Sequence, residues 1–141
     1  MSNPGPASTV ANHPSQLGTN QAKRILAYAA SVDLNTVGDT IAKILNTNSK
    51  ISVQSIIVAN ASISLTTAQI AVYTGAGATG TAIKTAYAVS GNTTSAKVVI
   101  TAATSTDFID ISQLYIRCTT AQGAAATADI YIEGYDLSIL S

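Results

Sequence analysis

The 141-residue chain has no tryptophan, one cysteine (Cys118), one phenylalanine (Phe108) and one histidine (His13). A single cysteine rules out an intrachain disulfide, and with it a disulfide-stapled scaffold. Without tryptophan there is no Cys…Trp…Cys signature of an immunoglobulin domain. Charge is scarce too: charged residues make up 10% of the chain, seven of each sign, and the formal net charge is zero. The basic excess that marks a duplex-binding protein is therefore missing. Solubility rests on Thr, Ser, Asn and Gln instead, and such a surface repels its neighbours weakly, which favours association. No segment approaches the roughly 18 consecutive apolar residues of a spanning helix. The opening stretch, MSNPGPASTVANHPSQLGTNQAK, has neither the basic n-region nor the apolar core of a signal peptide. Folding in the cytoplasm of the cell that makes it is the expectation, in keeping with the missing disulfides.

All three prolines, Pro4, Pro6 and Pro14, fall in residues 1–22, beside Gly, Ser, Asn and Thr. This stretch has too little apolar surface to offset the entropy of ordering it alone. It is read as an N-terminal arm, with residues 23–141 as one domain large enough for a sizeable core.

What the domain does have is period-two alternation, the signature of strands. In the C-terminal third, Leu114, Ile116 and Cys118 share one face and Tyr115, Arg117 and Thr119 the other. Further on, Ile130 and Ile132 oppose Asp129, Tyr131, Glu133 and Tyr135. Gln122-Gly123-Ala124-Ala125 lies between these runs, so an antiparallel pair is expected there, with one dry face and one tyrosine-and-charge face. Lys23 to Leu34 also alternates; a short helix over Gln21 to Ala30 competes, but the pattern through Ser31 to Leu34 favours strand. Thr40 to Leu45 reads as a short strand with Ile41 and Leu45 directed inward. Lys50 to Ala59 is the best central strand, and its broken alternation predicts a bulge near Gln54-Ser55 or burial on both faces. Gln69 to Thr74, Thr81 to Ser90 and Ser95 to Thr101 complete the set, with Ala103 to Ile109 as a connection. About eight strands separated by turn signals fit one all-β, antiparallel β-sandwich, and a jelly-roll-like one in preference to an immunoglobulin-like one.

Few residues suggest chemistry. Gly75, Gly77 and Gly80 have the spacing of a dinucleotide loop, but an alternating run follows them where a helix is required, so a hairpin bend is the better reading. Cys118 sits on the apolar face and reads as an inert buried thiol. His13 lies in the arm, so no Ser-His-Asp set assembles. Asp107 and Asp110, with Asp129 or Asp136, offer a calcium reading; solvated turn carboxylates are the plainer one, since EF-hand spacing is absent. Asp129, Tyr131, Glu133 and Tyr135 form a strip suited to a carbohydrate platform, a subunit interface or plain exposed sheet, and Tyr73 is a further aromatic candidate. Lys84, Lys97 and Arg117 make no patch. No catalytic, cofactor-binding or metal site is assigned, and the chain is read as non-enzymatic.

Three segments carry a resemblance: ASVDLNTVGDTI (Ala30 to Ile41), SIIVANASISLTTAQIAVYTGAGATGTAI (Ser55 to Ile83) and LYIRCTTAQGAAATADIYIEGYDL (Leu114 to Leu137). Across Ala27 to Leu140 the chain resembles small β-sandwich virion proteins of tailed bacteriophages. The resemblance implies a capsid decoration, or cement, protein on the outer head. Such a protein binds the major capsid protein lattice and copies of itself as a homo-oligomer, for instance a trimer, with no nucleic acid, membrane or cofactor involved. The arm would add contacts to a neighbour. The alternative is a carbohydrate- or receptor-binding module of a tail or neck structure.

Overall fold

A computed structural model describes residues 23–45, 50–101, 109–110 and 112–137. The arm, with His13, and Asp107 lie outside these residues. The strands are β1 (Arg24–Asp33), β2 (Gly38–Ile44), β3 (Lys50–Ala59), β4 (Gln69–Gly75), β5 (Thr79–Ala88), β6 (Val98–Thr101), β7 (Ile109–Asp110), β8 (Leu114–Thr120) and β9 (Thr127–Asp136). There is no helix among the described residues.

Every pairing is antiparallel, and the strands lie in one sheet in the order β5-β4-β8-β2-β1-β9-β3-β6. Short β7 continues the β6 edge alongside the start of β3. The sheet curls into a half-barrel rather than forming two separate stacked sheets. The two halves of the strand order join at β1 and β2, which pair only at Ala27↔Ile44 and Tyr28↔Lys43. Among the inward residues beside this junction, Ala27, Ala29 and Ala42 are small and buried, and Ile44 packs against the core.

The core is built in rows across the strands, because register partners point to the same face. In the half containing β9, Ala27, Ile132, Ile56 and Ile100 form one fully buried row. Ala29, Ile130, Val58 and Val98 form the next. In the half containing β2, Ala42 meets Leu114, and Ile116 meets Val72. Both halves feed one apolar cluster. Each large aliphatic side chain fully buried in it contributes about 1.5–3 kcal/mol.

The strand assignments made from alternation hold in outline, including the hairpin across Gly75–Gly80 and the inward faces of the last two long strands, but of Ser95 to Thr101 only Val98–Thr101 is strand. The bulge foreseen in the third strand is present: the β3–β9 register shifts between Val53 and Ser55. Gly134 faces this point, and a β-carbon there would lie 2.0 Å from the Ser52 carbonyl oxygen.

Three expectations need correction. The C-terminal runs do not pair with each other. β8 lies between β4 and β2, and β9 between β1 and β3, so the Gln122 turn carries the chain from one half to the other. The crossover is tied to the end of β1: Gln122 N–H donates to the Leu34 carbonyl at 2.8 Å, and Leu34 N–H to that of Ala126 at 2.9 Å. Second, Ile41 and Leu45 point outward, 57% and 52% exposed, while Ala42 is 3% exposed. The register with β8 sets Thr40 and Ala42 opposite inward Ile116 and Leu114, which turns Ile41 outward beside Tyr115. Third, β1 does not keep a single inward set. Its register with β9 shifts twice, and Ser31 adopts a left-handed φ of 52°.

Candidate functional site

The outer face of β9 carries the strip expected from alternation, but its carboxylates are used within the fold. Asp129 accepts the Ser31 backbone N–H at 2.8 Å and the Asn60 side-chain amide at 2.9 Å. Both of these donors belong to residues with left-handed φ, so Asp129 holds two irregular backbone points together. Glu133 takes the Lys23 ammonium at 2.9 Å and the Ser55 hydroxyl at 3.0 Å. The Lys23 hydrogen bond is the main reason its carboxyl lies below the usual range; burial opposes the shift and Ser55 adds to it. Asp136, on the inner side of β9 opposite Ile51, is buried and pairs with Arg24 at 2.5 Å. Among the described residues, no group of three His, Cys, Asp or Glu side chains is placed to hold a metal ion. Of the carboxylates in the calcium reading, Asp129 and Asp136 are engaged by these partners, while Asp107 and the Asp110 side chain lie outside the described residues.

Tyr131 and Tyr135 remain on this strip. Tyr131 sits in an outward row with Tyr28, Ile57 and Val99. Tyr73 does not join them. It is on β4 in the other half, opposite Tyr115.

The other half presents a different outer face. Val37, Ile41 and Leu45 lie at every second outward position along β2 and its flanks, each more than half exposed. Ile41 is the register partner of Tyr115, which in turn partners Tyr73. Between the aliphatics, Asp39 receives the Arg117 guanidinium and the Gly77 backbone N–H, at 2.8 and 2.6 Å. The Gly77 N–H is the largest cause of a lowered Asp39 pKa; burial opposes it and Arg117 supports it. The glycine-rich loop is therefore a hairpin tip fastened to β2. Gly77, Ala78 and Gly80 take positive φ there, and β5 follows instead of a helix.

Cys118 is buried, and burial pushes its thiol pKa up, which fits an inert core residue. Lys84 packs over the Tyr87 ring at 4.7 Å and donates to the Thr101 carbonyl at 3.1 Å, reaching from the β5 edge to the β6 edge across the open side of the half-barrel.

Two positions that sequence reasoning passed over as turns hold the loops in place. Buried Asn92 donates its side-chain amide to the carbonyls of Val58 and Ala96 at 2.7 and 2.8 Å. Gln122 Oε1 accepts three backbone N–H groups, those of Thr66, Thr67 and Ala68, at 3.1–3.2 Å. The signal for the second was present: Thr-Thr-Ala-Gln occurs at 66–69 and again at 119–122, and the two copies dock on each other. Beside the Asn92 loop lies a hollow of about 330 Å³ lined by Ala59, Asn60, Thr94, Ser95, Ala96 and Lys97. No protein-family model matches the chain, and no curated protein matches it in sequence.

Proposed function

We propose that this is a non-enzymatic virion structural protein of a tailed bacteriophage, a decoration protein that binds the major capsid protein lattice on the outside of the head. The observation that carries the reading is the nested pairing of strands. Passing over short β7, the first strand pairs with the last (β1·β9) and the second with the next to last (β2·β8); β3 pairs with β6 and β4 with β5. Nested pairing of this kind is the pairing pattern of a jelly roll and supports that finer reading of the curled sheet; jelly rolls serve viral capsid and lectin domains. The sequence resemblance to small virion proteins points the same way. So does a surface that keeps large aliphatics exposed while carrying little charge. Added contacts repeated over a closed shell stabilise it by mass action.

The test is co-sedimentation of the full chain with empty tailed-phage capsids. Saturable binding at a fixed ratio to the capsid protein is the expected result, and weaker binding after removal of residues 1–22 assigns the arm its part. A protein that stays in the supernatant at every concentration contradicts the reading. The carbohydrate-binding alternative is favoured by one feature, the hollow beside Asn60 and Lys97, with its hydroxyl, amide and ammonium groups. A glycan screen that maps binding to that hollow would move the assignment there.

A further inference from the structure

Along β2 and its two flanks the outward positions read Val37, Asp39, Ile41, Lys43, Leu45. The pattern is apolar, negative, apolar, positive, apolar. It is symmetric in its aliphatics about Ile41 and antisymmetric in its charges. A two-fold axis through Ile41, lying between two copies and perpendicular to the strand, therefore sets Ile41 on Ile41. The same operation places Asp39 opposite Lys43 of the second copy, and Val37 opposite Leu45. A two-fold interface uses one patch on both subunits and needs this kind of self-complementarity. We infer that the outer face of β2 is a two-fold self-association surface, and that its partner is a second copy of this chain.

The local geometry prepares the face for that role. Asp39 and Lys43 are about 13 Å apart along the strand at the usual rise, too far to satisfy each other within one copy. Asp39 is held in position by Arg117 and the Gly77 N–H. An ionised carboxylate accepts about four hydrogen bonds in all, so capacity is left for an ammonium from outside. Lys43 is exposed and has no partner among the described residues. Tyr115 lies next to Ile41 on β8, its hydroxyl held by Gln113, and adds an aromatic surface close to the axis. β2 is flanked on both sides, by β8 and β1. Two copies thus meet face to face, as sheets packed roughly 10 Å apart, and not edge to edge.

This deepens the assembly part of the proposed function but does not rest on capsid attachment, and its test uses no capsid. Sedimentation equilibrium of the full chain should show a reversible dimer. Ile41→Asp and, separately, Lys43→Glu should each weaken it by about tenfold or more, which corresponds to about 1.4 kcal/mol. Val99→Asp is the control: Val99 is 53% exposed, comparable to Ile41, but lies on β6 in the other half. It should leave the dimer unchanged, and circular dichroism should show all variants folded. The inference is overturned by a wild-type chain that stays monomeric or forms only trimers. It is equally overturned if the Ile41→Asp and Lys43→Glu chains dimerise as tightly as wild type, or if Val99→Asp disrupts the dimer to the same extent.

Discussion

The two outer faces of the curled sheet come from strands with the same alternation, yet they are finished differently. On the β9 face, Asp129 and Glu133 each bind groups from β1, β3 or the residues beside them. That face turns its polar groups back on the fold. On the β2 face, one ion pair stands among three exposed aliphatics, and nothing in the described chain covers them. Similar strands thus serve internal stitching on one side and present an uncovered surface on the other. The difference lies in which side chains occupy the outward positions.

The sharpest way to break this comparison is to place a charge on the wrong side of a strand. Ile132 is fully buried in the row with Ala27, Ile56 and Ile100. Ile132→Asp is expected to cost on the order of 4 kcal/mol or more through an unpaired buried charge, and to abolish a cooperative melt. Ile41→Asp, on the outer β2 face, should stay within about 0.5 kcal/mol of wild type in the monomer. Denaturant titrations of the two variants check both, and similar losses would refute the inner and outer assignment.

A smaller effect tests the interlock of the β9 half. Gly134→Ala puts a methyl group against the Ser52 carbonyl at the β3 bulge, and overpacking of this kind costs about 1–3 kcal/mol. A thermal midpoint equal to wild type would show that the bulge yields freely.

The smallest effect tests the β2 face by pH. The Asp39 carboxyl is lowered in the folded chain, chiefly by the Gly77 N–H. Its stabilising contribution is present above the ordinary carboxylate pKa of about 3.9 and is lost as pH falls through the lowered folded value. Asp39→Asn should therefore lower stability at neutral pH by under about 1 kcal/mol, since the pair lies near the surface, and the gap to wild type should close in acid. Melts at neutral and acid pH check this; a gap that widens in acid would reverse the sign of the argument.

Much of the fold was legible because local rules governed it. The inward sets of β8 and β9 follow from alternation alone. The β3 bulge is visible as a break in its pattern, and the hairpin at Gly77 follows from glycine where positive φ is needed. Pairing was not legible. β8 and β9 both carry an apolar face and are joined by a turn-like segment, which is also what a hairpin looks like; their ladders with strands distant in the chain, β8 with β2 and β4 and β9 with β1 and β3, put them in opposite halves. Ile41 was misjudged for a related reason. The choice between Ile41 and Ala42 for the inner side is set by the register with Tyr115 and Leu114 of β8, which the sequence of β2 does not encode. Asn92 and Gln122 looked like turn residues because their partners, Val58 and Thr66 to Ala68, are distant in the chain.

The most direct test of the difference between the two faces is the concentration dependence of amide chemical shifts in the full chain. The account predicts shifts that grow with concentration along Val37 to Leu45 and at Tyr115, with Asp129 to Tyr135 unmoved. Shifts confined to the β9 strip, or none on the β2 face, would contradict it.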